Sequence, residues 1–134
     1  MKKIILLCLI TTIFCINIEK AVDYLITHAH ITSNIDSKQN IEKALEVAGF
    51  NFTKQASSSM YHTNGILKKL KYKEIAKQNN YRKGDIAVTE NNSDHPRGHI
   101  AMWCGKNRIS DFIQESEFIS GKYEQKIHYY RYQG

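Results

Sequence analysis

The chain has 134 residues, 42% of them hydrophobic and 24% charged, with seven glycines and one proline. That length suits one domain, and the composition is that of a globular core rather than a disordered, collagenous or low-complexity chain. The formal charge of +6 favours anionic surfaces such as cell-wall polymers, but no basic stripe with interleaved aromatics occurs, so no nucleic-acid partner is expected.

At the N-terminus, Lys2 and Lys3 precede an apolar run from Ile4 to Ile18. A positive start and an apolar stretch of that length form the pattern of an export signal, short for a membrane span. Residues 1–20 are therefore expected to be a signal peptide, with an uncleaved anchor as the alternative, and residues 21–134 to form the domain. No A-x-A cleavage pattern follows the apolar run. The expected location is the periplasm or the exterior, with no membrane span once the signal is removed. Cys8 and Cys15 lie inside the signal, so the domain keeps Cys104 alone and has no internal disulfide.

Further on, Val22, Leu25, Ile26 and Ala29 fall at helical spacing and predict a first helix over 21–30. SNID is a loop. Ile41, Ala44, Leu45 and Ala48 predict a second helix, which Gly49 closes. SSSMYHTNG reads as irregular, and ILKKLKYKEIA as a short helix running into a strand. From Tyr81 the texture changes. RKGD is a turn, IAVTE a strand and NNSDHPRG a polar loop. HIAMW, the tight turn CGKN and the strand RISDFIQ form a hairpin, and KIHYYRY alternates as a last strand. Helices first and an antiparallel sheet second make an α+β domain.

His99 opens HIAMW and shares a face with Ala101 and Trp103, while Ile100 and Met102 take the other, apolar face. Such a histidine can reach a cleft, or it can be a locally bonded edge residue. Asp111 orients its imidazole if the CGKN hairpin makes residues 99 and 111 neighbours. A one-residue slip turns the carboxylate away. Cys104 lies about 16 Å from His99 along an extended strand, too far to be its thiol partner. His28 and His30 are two apart on a helix. His95 and His99 are four apart, but Pro96 and Gly98 break any helix between them. No spacing predicts a metal site, and no cofactor is expected.

The stretch from Gly84 to Phe112, GDIAVTE through HPRGHIAMWCGK to RISDF, resembles the second half of CHAP-type peptidoglycan amidases and endopeptidases, relatives of the NlpC/P60 enzymes. Met60 to Ile75 resembles the same family's middle region. The resemblance implies a papain-like fold, with N-terminal helices packed on a C-terminal antiparallel sheet. It also implies amide hydrolysis in cell-wall peptides by Cys, His and a polar third residue. His99 matches the family's histidine, and Asp111 is the candidate third residue, although other polar neighbours could take that role. In the first half, the family pattern S-x-G-x-C-A-x-x-V-R-x-A-L-x-x-A-G aligns with Ser33 to Gly49. Ser37 falls on the nucleophilic cysteine, Ile35 on the glycine, Lys38 on the small residue and Glu42 on the arginine.

The serine changes the expected chemistry. A helix N-terminus and a neighbouring imidazolium can lower a thiol from about 8.5 to roughly 3.5–7.5. A hydroxyl is too weak an acid for that resting ion pair and would have to lose its proton to His99 during attack. Ser37 can instead simply cap its helix, alone or with Asp36, with Gln39 or Asn40 at the reciprocal position. The expectation is therefore an exported peptidoglycan hydrolase homologue whose activity is weak or lost. A pseudoenzyme that binds peptidoglycan stems or a protein partner, and a serine-type amidase using Ser37, His99 and Asp111, are the alternatives. Peptide stems and an inhibitor or immunity protein are the expected partners.

Overall fold

A computed structural model describes residues 15–30 and 37–134. Residues 1–14 of the expected signal, and residues 31–36 with Ser33, Ile35 and Asp36, lie outside the described residues. Among the described residues, no helix is long and apolar enough to cross a membrane.

Helix α1 spans Ile18–His28 and turns Ala21, Val22 and Leu25 into the core. Its first residues fall within the stretch read as signal, and the Asn17 N–H already bonds the Ala48 carbonyl at 2.9 Å. Ile26, expected on the buried face, is 54% exposed. A helix advances 100° per residue, so with Leu25 inward and small Ala21 beside Val22, the next position swings to solvent.

Helix α2 spans Ser37–Ala48 and buries Ile41, Ala44, Leu45 and Ala48, the expected stripe. It ends in a paired C-terminal cap: Phe50 N–H donates to Leu45 O at 3.1 Å, and Gly49 N–H to Glu46 O at 3.0 Å. The cap requires a left-handed residue, and Gly49 supplies φ +105°. Two four-residue helices follow, α3 over Met60–Thr63 and α4 over Ile66–Lys69. The first of them lies where the sequence reads as irregular.

Six strands form one antiparallel sheet: β1 Tyr72–Ile75, β2 Ile86–Thr89, β3 His99–Trp103, β4 Arg108–Ile109, β5 Ile113–Gln114 and β6 Ile127–Tyr132. Their order is β1-β6-β2-β3-β4-β5, so the last strand inserts between the first two. The helices lie on the face of Val88, Ile100, Met102 and Tyr130, which with the α1 and α2 stripes form the core. The turn before β2 is built by Asp85, whose carboxylate accepts from Arg82 N–H at 2.8 Å and from Arg131 Nε and Nη2 at 3.0 and 2.7 Å. This fork locks β6 onto the start of β2.

One strand differs from expectation. RISDFIQ is two short strands, β4 and β5, folded back on each other through Ser110–Phe112. Backbone groups of that turn are taken by the first half of the chain: His30 N–H donates to Asp111 O at 3.0 Å, and Ile113 N–H to His30 O at 3.1 Å. The alternation of hydrophobic residues across 108–114 does not show this reversal, because the groups that fix it lie more than seventy residues away.

Candidate active site

His99 begins β3 and is 8% exposed. Gly98 sets its entry. At φ +69°, a Cβ on Gly98 would stand 2.3 Å from the Thr89 carbonyl and 2.9 Å from Ser59 Cβ, so only glycine fits. Ser59 N–H binds Arg97 O at 3.1 Å, and Thr89 pairs with His99 in register. The imidazole therefore leaves a backbone clamped on both sides.

Gln114 gives the imidazole its acceptor. His99 Nε2 is 2.7 Å from Gln114 Oε1, and Gln114 Nε2 donates to Ser116 O at 3.2 Å. Because the amide nitrogen serves Ser116, the atom facing His99 is an oxygen, which can only accept. His99 Nε2 therefore carries the proton, and in the neutral ring the basic lone pair belongs to Nδ1. Gln114 is itself buried and paired in register with Arg108. The Arg108 guanidinium stacks on Tyr81, Tyr129 and Trp103 at 4.6, 5.4 and 5.8 Å, which holds β4 and β5 in place.

Asp111 is fully buried at the turn between β4 and β5, and Ser110 Oγ donates to its Oδ1 at 3.3 Å. Continuing the β3–β4 register, in which Met102 faces Ile109, would set His99 opposite residue 112, and the Phe112 ring indeed lies 6.1 Å from the imidazole. The reversal at 110–112 brings Gln114 to His99 Nε2. Gln114 escaped the sequence reading because the signal for it, a polar residue three beyond a buried aspartate, has meaning only once the turn is known.

Ser37 is the first residue of α2 and half-buried. One turn on, buried Asn40 donates from Nδ2 to Ser110 O at 2.6 Å. The mouth of α2 is thus tied to the turn whose Phe112 and Gln114 touch His99. The segment Ser110–Gln114 is bonded to Asn40 on one side and to His99 on the other. A helix N-terminus presents backbone N–H groups and the positive end of its dipole, which favours negative charge at its first residue.

The two family departures beside Ser37 are matched to each other. Lys38 Nζ is 3.1 Å from Glu42 Oε1, and the other Glu42 oxygen accepts from the Tyr61 hydroxyl. Glu42 is buried, and its carboxylate, with burial as the larger cause, raises the Tyr61 phenol well above its usual range. Cys104 belongs to the core, where burial pushes its thiol up to about 12. It stays a neutral thiol, far from a nucleophile's requirement.

A helix whose first turn is bonded to the β4–β5 turn, and a buried histidine held by β5 on an antiparallel sheet, make an α+β domain. A family model of bacteriophage peptidoglycan hydrolases matches residues 16–131, and the chain belongs to that family. A chain of the native type VI effector–immunity complex Tae3–Tai3 from Ralstonia pickettii is similar, with TM-score 0.76 and 26% identity over 87% of this chain and 99% of that one. A chain of the selenomethionine form of the same complex gives TM-score 0.68 and 27% identity over 78% and 88%. No curated protein sequence matches.

Proposed function

We propose that this protein is an exported, papain-like relative of the CHAP and NlpC/P60 peptidoglycan amidases, with Ser37 in the nucleophile's place and catalysis weak or lost. The observation that carries the reading is the His99–Gln114 bond. It leaves Nδ1 as the proton-accepting nitrogen at the end of the sheet to which the α2 mouth is tied. In this reading Gln114, rather than Asp111, is the polar third residue, and Asp111 shapes the turn that delivers it.

The chemistry sets how much activity to expect. With a cysteine at position 37, the helix dipole and a His99 imidazolium would stabilise a thiolate. That thiolate would attack the amide carbonyl, and the imidazolium would then protonate the leaving amine. With Ser37, His99 must remove the hydroxyl proton within the transition state, in a site shaped for the longer bond to sulfur. The expected rate is lower by several orders of magnitude. The serine-type route through Ser37, His99 and Gln114 or Asp111 is the second reading.

The Lys38–Glu42–Tyr61 unit favours a binding role over decay. Two charges that depart from the motif pair with each other within one packed helix, so the two departures are matched rather than disruptive. The ligands proposed are peptidoglycan stem peptides and a protein of the immunity type, because the similar structures are effector–immunity complexes. Export rests on the lysines and apolar run of residues 1–18 and on the location of peptidoglycan outside the membrane.

Digestion of purified peptidoglycan by wild type, Ser37→Cys and Ser37→Ala tests the proposal. Release of peptide fragments by Ser37→Cys, with wild type at or near background, is the expected result. Strong wild-type activity that Ser37→Ala abolishes would instead establish the serine mechanism, and inert protein in all three forms would confine the kinship to the fold.

A further inference from the structure

Two strands from His99, and on the other face of the sheet, a second cluster of titratable groups collects. Thr89 pairs with His99 and Val88 with His128, so the sheet's alternation sends His128 to the face opposite His99. There His62 of α3, Glu74 of β1 and His128 of β6 bring one ligand atom each within 4.8 Å of one another. A fourth group, Glu90, follows β2, and its Oε2 is 2.7 Å from His128 Nε2. Glu74 Oε2 is 3.2 Å from His128 Nδ1.

Two features separate this cluster from an ordinary surface ion pair. The His62 and His128 rings lie face to face, with centroids 3.5 Å apart and planes 10° apart. Burial and the neighbouring His128 both disfavour the charged form of His62, so its pKa falls below the usual histidine value. Second, His62 Nδ1 is bonded to the Tyr130 hydroxyl, an outer partner that fixes the ring and turns Nε2 to the cluster. An imidazole held by a phenol, beside a second imidazole and the Glu74 carboxylate, is a nitrogen and oxygen donor set suited to a borderline divalent ion.

We propose that His62, Glu74 and His128 bind one zinc-class divalent cation, with Glu90 as the outer partner that holds His128 by its other ring nitrogen. Zinc bonds of about 2.0–2.2 Å place tetrahedral ligand atoms roughly 3.3–3.5 Å apart, so the cluster must close by about 1.5 Å. Long, partly exposed side chains make that adjustment by rotation. An imidazole donates in the plane of its ring, so the ion cannot sit between stacked faces, and binding tilts His62 out of the stack. The ligands come from α3, β1 and β6, and Glu90, in the segment after β2, holds His128 from its other nitrogen. The ion therefore joins α3 to β1 and β6 and stabilises the fold by mass action.

The test is calorimetric titration of Zn2+ alone into the tag-free full chain, with Co2+ visible absorption as a second reading of coordination. One equivalent is expected, with the four-coordinate cobalt bands. Affinity should fall at least tenfold in both His62→Ala and Glu74→Gln, and stay unchanged in His95→Ala, which removes a histidine outside the cluster. Glu74→Gln keeps the side chain's shape and decides the matter if His62→Ala fails to fold. Absence of saturable binding, or binding that survives both substitutions, would overturn the site. None of these readouts depends on peptidoglycan activity.

Discussion

Replacing Gln114 by leucine removes the acceptor of His99 Nε2 while keeping a side chain of similar length in a buried position. Two effects of different size follow. A buried N–H left without its partner costs about 1–3 kcal/mol of stability. In a domain of this size that is roughly 3–15 °C in Tm, by the usual scaling of melting entropy with length. The net bond itself, about 0.5–1.5 kcal/mol, sets the tautomer preference and corresponds to a change of roughly 2–13-fold in the ratio of Nε2–H to Nδ1–H rings. Ring nitrogen chemical shifts of labelled His99 read that ratio directly, and thermal denaturation reads the stability. Gln114→Glu separates the two, since a carboxylate still accepts and should keep the Nε2–H form while raising the His99 pKa. An unchanged tautomer ratio and Tm in Gln114→Leu would refute the assignment of Gln114 as the orienting residue.

Other outcomes follow from the same contacts. Gly98→Ala forces a Cβ against the Thr89 carbonyl at a positive φ, and differential scanning calorimetry should show a loss of about 1–3 kcal/mol. Arg131→Met leaves the buried Asp85 carboxylate without its bidentate partner, which should cost about 3–5 kcal/mol in urea unfolding. Tyr61→Phe removes a donor to buried Glu42 and should cost about 1.5–3 kcal/mol in the same assay. The Cys104 thiol, raised to about 12, is protonated at any pH below that value. Iodoacetamide at pH 8.5 should therefore spare it in the folded protein and label it in denaturant, and rapid native labelling mapped to the Cys104 peptide would contradict its burial.

Local pattern carried much of this molecule. The stripe Ile41, Ala44, Leu45, Ala48 with Gly49 behind it encodes α2 and its cap without help from the rest of the chain. HIAMW and the CGKN turn likewise encode β3 and the step to β4, so His99 and Ser37 were both placed on their true elements. What stayed hidden depends on distant partners. The reversal at Ser110–Phe112 is held by Asn40 and by His30, and Gln114 reaches His99 only because of it. The insertion of β6 between β1 and β2 rests on the Asp85–Arg131 fork, joining residues 46 positions apart. The His62, Glu74 and His128 cluster draws on three elements with no shared spacing, so a search by ligand interval passes over it. Lys38 and Glu42 read as two separate departures until their ion pair shows them to be one.

The central claim is that the mouth of α2 and His99 together still form a nucleophile site. Ser37→Cys in a Cys8→Ser, Cys15→Ser background tests it through the pH dependence of alkylation of the introduced thiol, with buried Cys104 as an internal silent control. The account predicts a thiolate formed well below the ordinary value near 8.5, within roughly 3.5–7.5, moving back upward when His99→Ala is added. A thiol that titrates near 8.5 and ignores His99→Ala would show that Ser37 is only the first residue of a helix.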